Sequence, residues 1–302
     1  MTKRPSRHRL GSASPISKYA SLMRVALCQI PVSSQPAVNL SRVQSALSSA
    51  SQQGSDLAIF PEGTQVRFSA DLRAVAEPLD GPFCAGLSAA ARGSGVALAA
   101  GIFEQAPGGL VYNTTVAFDS AGNLVAAYRK IHLFDALGQR ESETIAAGAD
   151  IVIAQLAGLN VGFVTCYDVR FPELARELAV RGADLIVIPS AWASGLFKEE
   201  HWVTLVRARA IENTIWIAAA GQVPDQHEPP TKAPTGVGRS MLVDPMGTVR
   251  LDLGSAPAIV AGEVDIDLTA RVRSVLPSLE HRRPDLFSPM HDLKPVHDAV
   301  RA

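Results

Sequence analysis

The 302-residue chain has only three cysteines, an odd number, and no C-x-x-C pair. That scarcity argues against a disulfide framework or a structural zinc site and points to a reducing, cytoplasmic setting. Charged residues make up just 19% of the chain, and the net charge is −1. No global field therefore draws in nucleic acid or an anionic membrane. No apolar run reaches the roughly 18 residues a membrane span needs; the longest are broken by Pro, Gly or charge. Acid is missing altogether from the first 22 residues, which carry Lys3, Arg4, Arg7, Arg9 and Lys18. They lack the apolar core of a secretory signal. Residues 1–22 read as a basic, disordered extension, with a transit peptide or a start upstream of Met23 as the other readings. What is abundant is apolar material, 47% of the chain, ample for a large core. One domain is expected over 23–287, followed by a tail over 288–302.

The chain contains two halves that resemble each other. "GSDLAIFPEGT" from Gly54 parallels "GADLIVIPSAW" from Gly182, and "RVALCQI" from Arg24 parallels "NVGFVTC" from Asn160. "GVALAAGIF" from Gly95 and "TIWIAAAGQV" from Thr214 are strand-like runs, each followed by a hairpin pattern. The first hairpin turns at Ser120 to Asn123 and the second at Asp244 to Gly247. Helical patterns cover Pro36 to Gln53, Pro172 to Arg181 and Glu199 to Asn213, and Pro suits a first helical turn. Weak alternation in the strands fits sheets covered on both faces. The prediction is an α/β fold: a four-layer α-β-β-α sandwich of two pseudo-repeated halves.

Three residues fall just beyond expected strand ends, where α/β sheets place ligand sites: Glu62, Cys166 and Ser190. Cys166 lies in a tight strand-to-helix turn. Such a turn can present a nucleophile beside backbone N–H groups, although free cysteine is also often an inert buried thiol. Glu62 follows a strand and a proline, as a loop acid or as a base. Lys130 sits between apolar flanks in "LVAAYRKIHLF", in a chain where lysine is scarce, either snorkelling or stabilising charge. Cys28 and Cys84 read as packing residues.

Taken together, "FPEG" at Glu62, "YRKIHLFD" at Lys130 and "CYDVRFPEL" at Cys166 resemble the three signature motifs of the nitrilase superfamily, the carbon–nitrogen hydrolases. "ARAIENT" and "HRRPDLF" are similar to that family too, so the resemblance spans about Met23 to Phe287. It implies the α-β-β-α sandwich and an amidase with Cys166 as nucleophile and Glu62 as general base and acid. Lys130 and the Tyr167 N–H would stabilise an oxyanion. Glu141 would be a second glutamate, with Glu143 as competitor. No metal or organic cofactor is implied. The branch it most resembles contains ω-amidases and deaminated-glutathione amidases, so a small-molecule amide is the expected substrate and a homodimer or larger homo-oligomer the expected assembly. Ser190 and Trp192 are candidate pocket walls. Asp168, Arg170, Glu173 and His132 are expected to support the cysteine turn. Arg239, in "GRS" where relatives often have Gly-His-Ser, marks a local departure.

Other readings make distinct demands. A papain-type hydrolase needs a histidine beside Cys166; His132, His201 and His281 are available, none in a recognisable signature. A nitrilase, an N-carbamoyl hydrolase or an acyltransferase would use the same residues. A silent scaffold would show a broken triad, whereas Glu62, Lys130 and Cys166 are all present.

Overall fold

A computed structural model describes residues 22–286. The expected basic extension, apart from Leu22, and the tail beyond Phe287 lie outside the described residues. Leu22 already belongs to the first strand.

The first half runs β1 (Leu22–Gln29), α1 (Pro36–Gln52), β2 (Leu57–Ile59), α2 (Leu72–Val75), α3 (Pro82–Ser94), β3 (Ala97–Gln105), β4 (Val111–Phe118), β5 (Leu124–Arg129) and β6 (Ile145–Ala146). The second runs β7 (Ile153–Leu156), β8 (Leu159–Phe163), α4 (Pro172–Val180), β9 (Leu185–Ser190), α5 (Lys198–Asn213), β10 (Trp216–Gly221), β11 (Met241–Val243), β12 (Val249–Asp252), β13 (Ala258–Asp265) and α6 (Ile266–Val275). Proline occupies the first turn of α1, α3 and α4, where its missing N–H costs nothing. Gly95, at φ +69°, ends α3 in the left-handed conformation that glycine adopts without strain.

One sheet has the order β13-β1-β2-β3-β4-β5, with β6 beside β4; the other has the order β12-β11-β10-β9-β8-β7. In β1 and β2 the side chains alternate between two cores. Val25, Leu27, Leu57 and Ile59 face the second sheet's Val161, Phe163 and Ile217. Ala26, Cys28, Ala58 and Phe60 pack beneath Val43 and Leu47 of α1 and Leu87 of α3. Leu174 and Leu178 of α4 and Trp202 and Val206 of α5 cover the other outer face. The result is the expected α-β-β-α layering, with Cys28 and Cys84 buried in the α1–α3 layer.

The three helical patterns and both hairpins form within a residue or two of their expected places. β13 was not foreseen. It leaves the second half and pairs antiparallel with β1 over eight residues, from Leu22 opposite Asp265 to Gln29 opposite Ala258. Among the described residues no helix is long and apolar enough to cross a membrane.

Candidate active site

Strand ends from both halves meet over one cavity of about 180 Å³, lined by Glu62, Lys130, Glu141, Cys166, Tyr167 and Trp192 among others. Glu62 lies three residues past β2. Its turn is held from both halves: Gly101 N–H donates to Pro61 O at 3.1 Å, and Gln222 Nε2 donates to Glu62 O at 2.5 Å. Lys130 follows β5 directly, with its N–H on Asn113 O at 2.8 Å. Glu141 comes from a short 3-10 turn, Glu141–Glu143.

These side chains form a buried charge cluster. Lys130 Nζ donates to Glu62 Oε1 at 3.0 Å and to Glu141 Oε2 at 2.8 Å. Asn113 Nδ2 bridges the same two carboxylates, at 2.8 Å to Glu62 and 3.1 Å to Glu141. Ala191 N–H reaches Glu62 Oε2 at 2.8 Å, and Phe134 N–H reaches Glu141 Oε2 at 2.6 Å. Burial opposes the charge on Lys130, but the two carboxylates outweigh it and hold its pKa well above the ordinary lysine value. Glu143 is instead exposed beside Arg140, 3.9 Å away, so Glu141 is the acid that meets the lysine.

Cys166 opens a 3-10 turn, Cys166–Arg170, at φ +47°. A left-handed non-glycine residue costs on the order of 1–3 kcal/mol, so the surroundings must impose it. Asp168 supplies much of that constraint. Its buried carboxylate accepts from Thr165 N–H at 3.0 Å, Tyr128 Oη at 2.6 Å and His132 N–H at 2.8 Å, and it pairs with His132 Nδ1 at 2.7 Å. Thr165 and Asp168 thereby close a capping box around the turn. Burial first, and the Glu62 charge second, push the Cys166 thiol up to about 12, while Lys130 and the Ser190 hydroxyl pull the other way.

Most of the residues singled out from the sequence meet here. Tyr167 and Trp192 line the cavity. Ser190 is not among the residues that line it. It is the last residue of β9 and wholly buried. Its hydroxyl favours the Cys166 anion but has no partner in hydrogen-bonding geometry among the described residues. Ala191 and Ala193 take its place on the wall. His132 stacks on Phe171, with ring centroids 3.7 Å apart, and His201 meets Arg170 at 3.4 Å; among the described residues no histidine lines the cavity. Arg170 stacks over Trp192 at 4.8 Å. Glu173 falls in the first turn of α4, where its charge suits the helix dipole. Arg239 adopts φ +52° and is bound to Asp252 by Nε at 2.9 Å, so the departure there is a local anchor.

Two functional-looking residues were missed. Asn113 lay in the first hairpin strand, VYNTTVAF, a stretch that resembles the family but in which Asn113 was not singled out. Lys198 is 6% exposed and lines the cavity, although Glu199 and Glu200 make it read as the start of a solvated helix. The scarcity of lysine that marked Lys130 applied equally to it. Ala233 and Pro234 complete the rim, on a loop pinned by Glu228. That carboxylate accepts from Ser33 Oγ at 2.5 Å, Ser34 N–H at 2.6 Å and Arg67 Nη1 at 3.0 Å, which hold its pKa at about 2. Among the described residues no cluster of His, Cys, Asp and Glu could hold a metal ion.

Comparison with known proteins follows the same outline. Residues 24–274 match the sequence profile described as carbon-nitrogen hydrolase. A hydrolase of Mycobacterium tuberculosis is 40% identical over 268 residues, covering 86% of this chain and 95% of that protein. The deaminated glutathione amidase of Escherichia coli O157:H7 is 35% identical over 265 residues, covering 86% and 97%. Among solved structures, the NitFhit protein of C. elegans superposes with a TM-score of 0.80 at 30% identity, over 89% of this chain and 66% of that longer one.

Proposed function

The chain belongs to the carbon–nitrogen hydrolase family, and from that premise we propose that it is a cysteine-dependent amidase releasing ammonia from a small linear carboxamide. The observation that carries this reading is the convergence of Glu62, Lys130 and Glu141 on the cavity that Cys166 lines.

The chemistry runs in two halves. Glu62 takes the proton of the Cys166 thiol, and the sulfur attacks the amide carbon as the carbonyl pair moves onto oxygen. Lys130 and the Tyr167 N–H stabilise that oxyanion. Protonated Glu62 gives its proton to the nitrogen, the C–N bond breaks and ammonia leaves a thioester. A water then attacks the thioester carbon while Glu62 accepts its proton, and the C–S bond breaks to give the carboxylate and the thiol. One carboxylate acts as base and acid in turn. Glu141 holds Lys130 against the loss of its proton.

An α-keto-acid ω-amide or deaminated glutathione fits this scheme, and likeness to a deaminated glutathione amidase supports that choice. The test is ammonia release from α-ketoglutaramate, deaminated glutathione, simple nitriles and N-carbamoyl amino acids. Release from an amide, with the matching carboxylate formed, is the expected result. Turnover of nitriles or carbamoyl compounds alone overturns the amidase reading.

Glu62 also depends on a glycine. A Cβ on Gly101 would stand 2.7 Å from Glu62 Cα, closer than real contacts allow. Gly101→Ala is expected to displace the carboxylate and lower kcat about 10²-fold, read in the same ammonia assay beside a melting curve. An unchanged kcat would show that the turn adjusts without moving Glu62.

The cytoplasmic setting is supported by three free cysteines. A homodimer is supported by exposed Val180, Ile211 and Met246 on and beside the α4–α5 layer.

A further inference from the structure

The cavity takes side chains from two segments outside the charge cluster, one from each half. Phe68 and Leu72 line it from the first half, and Ala233 and Pro234 from the second. An ion pair joins these segments: Arg67 Nη1 donates to Glu228 Oε2 at 3.0 Å. Arg67 also donates from Nη2 to Pro229 O at 3.1 Å and from its N–H to Ser33 O at 3.2 Å. The other carboxylate oxygen accepts from Ser33 Oγ at 2.5 Å, Ser34 N–H at 2.6 Å and Ser34 Oγ at 2.9 Å. Both side chains are withdrawn from water, Arg67 at 6% exposure and Glu228 at 13%. Removing one partner of such a pair leaves the other charge buried and unmatched.

The stretch that follows Glu228 has little else to hold it. From Pro230 to Gly236 there is no helix or strand, and among the described residues this stretch makes one hydrogen bond, Ala233 N–H to Thr231 Oγ1 at 3.1 Å. Asp225 is tied to Arg42 at 2.7 Å, but it lies upstream of Glu228. Pro229, Pro230 and Pro234 each fix φ, so the stretch is stiff. A shift at Glu228 is therefore carried to Pro234 instead of being absorbed on the way. With a pKa of about 2, Glu228 stays charged near neutral pH. The place of Ala233 and Pro234 in the cavity is thus set at the ion pair.

In a primary amide that releases ammonia, the variable part is the acyl group. We propose that the Arg67–Glu228 clamp limits the length of that acyl group by holding Ala233 and Pro234, with Phe68 and Leu72, as a fixed wall. The substrate class is then amides of short acyl groups. Arg67 and Glu228 are positioning residues: neither lines the cavity, and both act through neighbours that do. This rests on the amidase reading above. A clamp that served stability alone would weaken the turnover of every amide alike.

The test compares glutaramate with pimelamate, ω-amides that differ only in acyl length. Wild type, Glu228→Gln and Arg67→Met are assayed on both, each beside a melting curve. Wild type is expected to prefer glutaramate in kcat/KM by at least about tenfold. Glu228→Gln should bring that ratio to within about threefold of unity, with kcat on glutaramate also within about threefold of wild type. Arg67→Met removes the same contact from the other side, should narrow the ratio equally, and carries the test if Glu228→Gln does not fold. Losses shared equally by the two amides overturn the proposal. Alkylation of Cys166 by iodoacetamide and by N-hexyl iodoacetamide, read on its own peptide by mass, gives a second ratio that needs no turnover. If no amide is hydrolysed but Glu228→Gln narrows the alkylation ratio at least about fivefold, the clamp stands and the amidase reading falls. If neither ratio narrows, or wild type shows no preference in either, the clamp does not limit length and the proposal is overturned.

Discussion

Cys166→Ala is expected to lose ammonia release by at least about 10⁴-fold while keeping its fold. The two parts of this expectation have separate causes. The proposed mechanism forms its covalent bond through the sulfur, and its nearest candidates for substitution, Lys130 and Glu62, are tied up in ion pairs. The turn, by contrast, is held by Asp168, which binds Thr165, Tyr128 and His132 whether or not the sulfur is present. A melting shift of no more than a few degrees is expected. Since burial and the Glu62 charge push the thiol up to about 12, the resting residue is protonated at neutral pH. The thiolate fraction then rises with pH, and alkylation of Cys166 by iodoacetamide should climb without a plateau between about pH 6 and 10. A plateau below about pH 8 would mean a preformed thiolate and would remove the need for Glu62 as base. Retained turnover in the alanine variant would overturn the mechanism altogether.

Glu62→Gln is the second large effect, and it should cost stability as well as activity. Every group around the carboxylate is a donor: Lys130 Nζ and Asn113 Nδ2 on one oxygen, Ala191 N–H on the other. A glutamine must turn its own NH₂ toward at least one of them. One buried donor is then left unmatched, at about 1–3 kcal/mol. Lys130 keeps only Glu141 as a counter-charge. With no group left to carry the proton between sulfur, nitrogen and water, kcat should fall about 10³-fold or more. Turnover of ammonia and the midpoint of denaturant unfolding measure the two parts. If the variant retains turnover within about tenfold of wild type, another group is the base.

The sequence showed the layers because their causes are local. Pro36 and Pro172 mark helix starts, and uninterrupted apolar runs mark strands covered on both faces. Glu62, Lys130 and Cys166 were legible only as a set: each alone fits a loop acid, a snorkelling lysine or an inert thiol, and the three motifs together, in order, resemble one family. Asn113 was not legible, since it is one of three consecutive polar residues in β4 and only the tertiary fold brings it between two acids. Lys198 was masked by its acidic neighbours, of which Glu199 faces Arg239. β13 escaped because nothing in a strand's composition names the sheet it will join.

That last strand sets the order in which the molecule can be made. β1 is the earliest strand in the described chain, and its edge stays open until β13 arrives more than two hundred positions later. On a ribosome, the first sheet therefore waits for most of the chain before its hydrogen bonds are complete. Pairings this remote in sequence are slow to form and leave half-built edges exposed. Despite their likeness, the two halves share a sheet through the β1–β13 pairing. A release of the chain before residue 265 would yield a protein with every charged residue of the candidate site and an unfinished sheet beneath it.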